Sequence, residues 1–235
     1  MYTKELNSPL RWQQISTVLL DMDGTLLDKY YDDYFWEQFL PLVYGKQKGL
    51  SEKAAQKELF HRYRSVEKTL MWTDLNYWSK ELELDIVGLK KQVDHLISLN
   101  PYVIDFLQFL QSQSKSVYLV TAAHRSALDI KMNKVDLRSY FQDLICAEEL
   151  GRPKEDVQFW GILEEKLGFE RDHTLFVDDN VNVLRAARSH GIRYLLHIAK
   201  PSSRQPTSYS DEFTSVGAFD ELLIPFTNSI GARKN

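Results

Sequence analysis

The chain has 235 residues, 43% of them hydrophobic and 26% charged, and carries a formal net charge of −4. That length suits one large domain, or a core with a smaller unit, and the mild acidity excludes nucleic-acid binding by bulk electrostatics. No apolar run approaches the ~20 residues of a membrane span, and the opening MYTKELNSPLRWQQ has no apolar core of signal-peptide type. A single cysteine, Cys146, cannot form an internal disulfide and is expected to serve as a small buried hydrophobe, so a reducing cytoplasm is the expected location.

Residues 16–20 form an apolar run that leads into Asp21-Met22-Asp23-Gly24-Thr25-Leu26. The run predicts a buried strand delivering two carboxylates to its C-terminal end, with a glycine turn behind them. Acids are kept at the surface unless they serve a site. Period two places Asp21 and Asp23 on one side of an extended chain. Their mutual repulsion favours a bound cation, or a proton on one of them, and both outcomes suit chemistry on a phosphate.

Over residues 30–98 the pattern turns helical. Phe35, Phe39 and Leu42 share helical spacing, as do Ala55, Leu59 and Tyr63, then Leu75, Trp78 and Leu82, and finally Leu89, Val93 and Leu96. Gly45 and Gly49 are expected to separate the first two helices, and Ser51-Glu52 to start the second. The stretch is expected to be an all-helical insertion.

Asn100-Pro101 opens a further helix, with proline where its missing N–H costs nothing. Residues 116–120 read as a strand ending in Thr121, followed by a helix from about Ser126 and a short strand at 144–146. Gly151-Arg152-Pro153-Lys154 is a loop, and Val157, Trp160, Leu163 and Leu167 mark a helix. Residues 174–177 are a strand ending in Asp178-Asp179-Asn180, residues 181–189 a helix, and 191–196 another strand. A polar loop at 200–211, a short helix near 220–223 and a frayed tail complete the chain. Strands alternating with helices predict an α/β fold with a parallel sheet and right-handed crossovers.

Three strand ends thus carry polar groups: Asp21 with Asp23, then Thr121, then Asp178 with Asp179. A loop adds Lys154. Ligands in open α/β sheets bind outside the carboxyl ends of the strands, where these groups converge. Singly, each has a plainer reading. Asp23-Gly24 alone would be a turn, Thr121 a strand-end hydroxyl, Lys154 a surface charge and Asp179-Asn180 a helix N-cap. His124 reads as a surface or helix-start histidine, with reach to a substrate as the alternative.

Taken in order, the D-x-D-G-T-L run, the strand-end Thr, the Lys and the acidic pair resemble the haloacid dehalogenase superfamily. The resemblance implies a Rossmann-like core over residues 1–29 and 99–235, with residues 30–98 as an inserted helical cap of the C1 type. It implies Asp21 as nucleophile, forming an aspartyl-phosphate, and Asp23 as the acid and base for the leaving group and the attacking water. Thr121, the backbone N–H of Ala122 and Lys154 would bind the phosphoryl group. Mg²⁺ would be held by Asp21, the backbone carbonyl of Asp23, and Asp178 or Asp179. The dehalogenases of the superfamily lack the second acid, since a halide needs no proton, so Asp23 favours phosphoryl transfer.

The insertion is rich in aromatics: Tyr30, Tyr31, Tyr34, Phe35, Trp36, Tyr44, Trp72, Tyr77 and Trp78. Most are expected to pack the insertion itself, and one or two to stack on a flat leaving group. Tyr34-Phe35-Trp36, Thr69-Leu70 with Trp72, Tyr77-Trp78-Ser79, Leu84-Asp85-Ile86, Pro153-Lys154-Glu155-Asp156, Thr174 to Asp179 and Gly191-Ile192-Arg193-Tyr194 are similar to the bacterial GMP/IMP nucleotidase group. That likeness implies a small-molecule partner, a purine nucleoside 5′-monophosphate, with no nucleic-acid polymer and no membrane. Ala122 departs from the group, which usually carries Asn there, but its backbone N–H remains available. The rival readings are a phosphatase or phosphomutase acting on sugar phosphates and, more distantly, a non-catalytic phosphate-binding module. Receiver-type modules place the acidic pair first and lack so large a cap.

Overall fold

Chain order and spatial order diverge at one point, and that point locates the site. The computed structural model describes residues 10–223. It holds six strands: β1 (Thr17–Leu20), β2 (Ser116–Thr121), β3 (Asp143–Cys146), β4 (Thr174–Asp178), β5 (Tyr194–Ile198) and β6 (Ser215–Val216). All pair in parallel, in the order β3-β2-β1-β4-β5-β6. The chain grows outward on one side of β1, then returns to its other side with β4. The crevice at this reversal lies beyond the C-terminal ends of β1, β2 and β4.

Both faces of β1 are buried, as a parallel sheet requires. Val18 and Leu20 point into one apolar cluster and Leu19 into another. The first cluster takes α6 (Val103–Ser112) and α7 (Arg125–Val135), and the second takes α8 (Val157–Leu167) and α9 (Val181–His190). Cys146 ends β3 fully buried, and burial pushes its thiol up to about 12.

Between β1 and β2 every regular element among the described residues is helical: α1 (Tyr30–Tyr34), α2 (Leu40–Lys48), α3 (Glu52–Val66), α4 (Leu75–Leu82) and α5 (Ile86–Gln92). A π-helical turn, Phe35–Phe39, links α1 to α2. The two connections to the sheet run side by side. Asp28 N–H donates to Ser98 O (3.0 Å), Asn100 N–H donates to Leu26 O (2.9 Å), and the Asn100 side chain donates to Thr25 O (2.8 Å). The buried side chains of the helices, Phe35, Leu59 and Trp78 among them, join the apolar cluster of α6 and α7.

Some local expectations shift. Gly45 lies inside α2, and only Gly49, at φ +67°, stops that helix. A Cβ on Gly45 would meet Ala55 Cβ at 3.2 Å, so its bareness lets α3 pack close. Pro101 precedes α6 in a turn, and Tyr102 at φ +62° turns the chain into the helix. The fifth strand starts at Tyr194, because Gly191 at φ +101° still caps α9. The two-residue β6 has no counterpart in the sequence reading. The expected frayed tail and the first nine residues lie outside the described residues. No helix among the described residues is long and apolar enough to cross a membrane.

Candidate active site

The register of the sheet brings the strand-end groups together. Leu20 pairs with Val177, so Asp21 comes level with Asp178 one residue later, and Asp21 N–H donates to Val177 O at 3.0 Å. One carboxylate oxygen each from Asp21, Asp178 and Asp179 lie within 4.8 Å of one another. Three acids so close, two of them fully buried, are costly unless cations accompany them.

Lys154 is the first of those cations. Its Nζ donates to Asp21 Oδ1 (2.6 Å), Asp178 Oδ2 (2.7 Å) and Val120 O (3.1 Å), using all three of its donors. Burial opposes the ammonium charge, but Asp178 and Asp21 overcome it and hold the Lys154 pKa above the ordinary lysine range. The loop that carries Lys154 is fixed from behind, since Trp160 Nε1 donates to Lys154 O at 2.9 Å. Lys29 is the second cation, with Nζ 3.3 Å from Asp179 Oδ2. Burial, reinforced by neighbouring carboxylates, pushes the Asp178 carboxyl up to about 8 and also raises that of Asp179.

The three acids present hard oxygen donors, one from each, gathered at one point. That donor set fits Mg²⁺. Asp21, Asp178 and Asp179 are the residues that would hold the ion.

The chain leaves the strand before the second acid. β1 ends at Leu20, and Leu26 and Leu27 N–H both donate to Met22 O in a tight turn. Met22, between the two acids, is buried in the apolar cluster, whereas Asp21 and Asp23 both face the cavity, the alternation expected of them. The two acids meet different lysines. Asp23 Oδ1 lies 2.6 Å from Lys131 Nζ on α7. Burial, aided by Asp32 and Asp21 and opposed by Lys131, pushes the Asp23 carboxyl up to about 7.

Gly24 makes the turn possible. Its φ is +86°, and a Cβ there would stand 2.6 Å from Asp179 Oδ2 and 3.0 Å from Pro201 Cβ. Gly24→Ala is therefore expected to displace Asp179 and weaken divalent-cation binding about tenfold or more, read by titration calorimetry. Unchanged binding would mean that Asp179 moves aside without consequence.

Thr121 ends β2 fully buried, and its Oγ1 accepts Ala123 N–H at 3.0 Å. Ala122 lines the cavity beside it. His124 is the N-cap of α7: Nδ1 accepts Ser126 N–H at 3.1 Å and Nε2 sits 3.0 Å from Asn76 of α4. Asn180 caps α9 by accepting Asn182 N–H at 2.9 Å, so the acidic pair sits on a helix start as well. His197 on β5 places Nε2 3.1 Å from Asp179 O, steadying that backbone.

Above these groups lies a cavity of about 480 Å³, walled on the helical side by Trp36, Phe60, Tyr63, Trp72 and Trp78. Tyr31, Phe35 and Tyr44 pack inside the insertion, as most of its aromatics were expected to do. The sequence reading missed Lys29, Asp32, Lys90 and Lys131. Two carried a signal: Lys131 sits among buried Leu128, Ile130 and Met132 on α7, and Lys90 follows buried Ile86 by one turn on α5.

A family model described as haloacid dehalogenase-like hydrolase matches residues 15–191. The GMP/IMP nucleotidase YrfG of Escherichia coli (strain K12) is 37% identical over 194 residues, which span 83% of this chain and 87% of that protein. A phosphorylated carbohydrates phosphatase of Thermotoga maritima is 23% identical over 187 residues, 76% of this chain and 82% of its own. Among solved structures, a HAD phosphatase from Thermococcus onnurineus shares the fold with a TM-score of 0.74 at 22% identity, covering 90% of this chain and 97% of that one. The chain belongs to the haloacid dehalogenase-like hydrolase family, and it is a phosphoric monoester hydrolase.

Proposed function

We propose that this enzyme is a Mg²⁺-dependent 5′-nucleotidase of the cytoplasm, acting on purine monophosphates such as GMP and IMP through an aspartyl-phosphate. The observation that carries the chemistry is the buried meeting of Asp21, Lys154, Asp178 and Asp179 beneath the cavity. The 37% identity to a GMP/IMP nucleotidase and the aromatic wall support the purine assignment. Residues 30–98 act in this reading as a cap, and residues 1–29 with 99–235 as the catalytic core.

Each role follows from position. Lys154 fixes one oxygen of Asp21 and leaves the other to attack phosphorus. The ester P–O bond breaks as the acyl-phosphate bond forms, and the departing alkoxide takes the proton of Asp23. A carboxyl pushed up to about 7 is protonated in useful amount at neutral pH and remains a competent base afterwards. Asp23 then takes a proton from water, whose oxygen attacks phosphorus and returns Asp21 as a carboxylate with release of inorganic phosphate. Thr121 Oγ1 and the Ala122 N–H bind the phosphoryl oxygens, while Lys154, its three donors held by Asp21, Asp178 and Val120 O, offsets the phosphoryl charge from beside the nucleophile. Asp21, Asp178, Asp179 and the carbonyl of Asp23 would hold Mg²⁺, which would supply positive charge against the repulsion of the attacking carboxylate and the phosphate.

A cap over the cavity excludes water and suits a small substrate. Stacking on an aromatic side chain contributes about 1–3 kcal/mol per base, enough to select a purine over a sugar phosphate. Phosphate release from a panel of nucleotides and sugar phosphates, with Mg²⁺ and with EDTA, tests the proposal. Mg²⁺-dependent release favouring GMP and IMP is the expected result. Preference for sugar phosphates would overturn the purine assignment and leave the roles of Asp21 and Asp23 in place.

A further inference from the structure

A buried chain of charges runs from the site into the helical insertion. Lys131 Nζ lies 2.6 Å from Asp23 Oδ1 and 2.6 Å from Asp32 Oδ2. The other oxygen of Asp32, a residue of α1, accepts from Lys90 Nζ of α5 at 2.8 Å. Lys90 in turn sits 4.4 Å from the ring centre of Phe35, 4.8 Å from that of Tyr31 and 5.3 Å from that of Trp36. Tyr31 Oη donates to Lys90 O at 3.0 Å, closing the cage. Lys90 and Lys131 are only 1% exposed each, so neither ammonium can be satisfied by water.

The arrangement is balanced, with two carboxylates against two ammoniums. A buried lysine is stable only where its partners are held in place. Asp32 cannot swing away from Lys131 without abandoning Lys90 to an aromatic cage that offers no anion. Lys131 is therefore fixed by the insertion, although it belongs to a helix of the sheet layer. Asp23, by contrast, sits on a turn and is half-buried, and Lys131 is what holds one of its oxygens.

We propose that Lys131, locked by Asp32 and Lys90, positions the Asp23 carboxyl for proton transfer, so that seating the insertion also aims the proton donor. The inference rests on the role given to Asp23 above. With Oδ1 tied to Lys131, Oδ2 is the oxygen turned toward the leaving group. The insertion then does more than cover the cavity: its Asp32 completes the acid's support. Lys131 and Asp32 are positioning residues, since they act through Asp23.

The test compares kcat/KM for two aryl esters, phenyl phosphate and p-nitrophenyl phosphate. The first leaving group needs a proton far more than the second, and kcat/KM reports only the steps up to its departure. Lys131→Met is expected to lower kcat/KM for phenyl phosphate about 10–100-fold, part of what a general acid supplies, with a loss at least about tenfold smaller for p-nitrophenyl phosphate. Lys131→Arg should recover part of the difference, and Asp32→Asn should show it in weaker form. Equal losses on both esters would overturn the proposal. Should Lys131→Met fail to fold, an unchanged ester ratio in Asp32→Asn overturns it equally. Wild-type turnover of both aryl esters but not of GMP removes the purine assignment alone, and the ester ratios then decide the positioning role on their own. No release from either ester by wild type would overturn the phosphomonoesterase reading and this role with it.

Discussion

Asp21→Asn is expected to release no measurable phosphate from any ester while melting within a few degrees of wild type. The substitution keeps the shape of the side chain and exchanges a nucleophilic oxygen for an amide. Lys154 loses one charge partner but keeps Asp178 Oδ2 at 2.7 Å and Val120 O at 3.1 Å, and the new amide oxygen can still accept from it. Removing one anion from three that lie within 4.8 Å also relieves repulsion, which offsets the lost ion pair. The loss of turnover should be on the order of 10⁴-fold or more, the scale on which removing a covalent nucleophile acts. A thermal melt beside a phosphate-release assay decides the matter. Near-normal turnover would overturn the nucleophile, and loss of turnover together with the fold would make Asp21 a structural residue.

Much of this site is legible in the sequence because its groups sit at strand ends. A four- or five-residue apolar run ending in acids is a local pattern, and β1 and β4 both show it. The parallel sheet then brings Asp21 and Asp178 level without further instruction. What the sequence hides is pairing across long separations. The apolar neighbours of Lys131 on α7 signal that it is buried, but nothing near it announces that it will meet Asp23 and Asp32. Lys29 is hidden in the same way, because its partner Asp179 lies 150 residues on. The common side of Asp21 and Asp23, by contrast, is legible, because Met22 between them is buried while both acids line the cavity. Beyond the acids, Gly24 at positive φ folds residues 22–27 back on themselves, the turn expected of the Asp23-Gly24 pair. β6 escaped notice because two residues carry no periodicity, and its partner β5 supplies the edge that defines it.

Lys154 joins stability to chemistry, and Lys154→Met separates the two. Three hydrogen bonds from one buried ammonium hold Asp21, Asp178 and the end of β2 in register. Methionine fills a similar volume but leaves both carboxylates without their cation, and Lys29 reaches only Asp179. Breaking a buried pair from one side costs about 3–5 kcal/mol. For a chain of this size each kcal/mol lowers Tm by about 2–4 °C, so a fall of about 6–20 °C is expected. Turnover should fall by about 10²–10³-fold, the worth of a donor aimed at developing charge. A divalent cation that binds the folded state raises Tm by mass action, and it binds more tightly where an ammonium no longer competes for the carboxylates. Added Mg²⁺ should therefore raise the Tm of Lys154→Met more than that of wild type. Equal shifts in the two proteins would mean that Lys154 and the cation do not share Asp21 and Asp178, and the metal would then have to be sought elsewhere along the acidic edge.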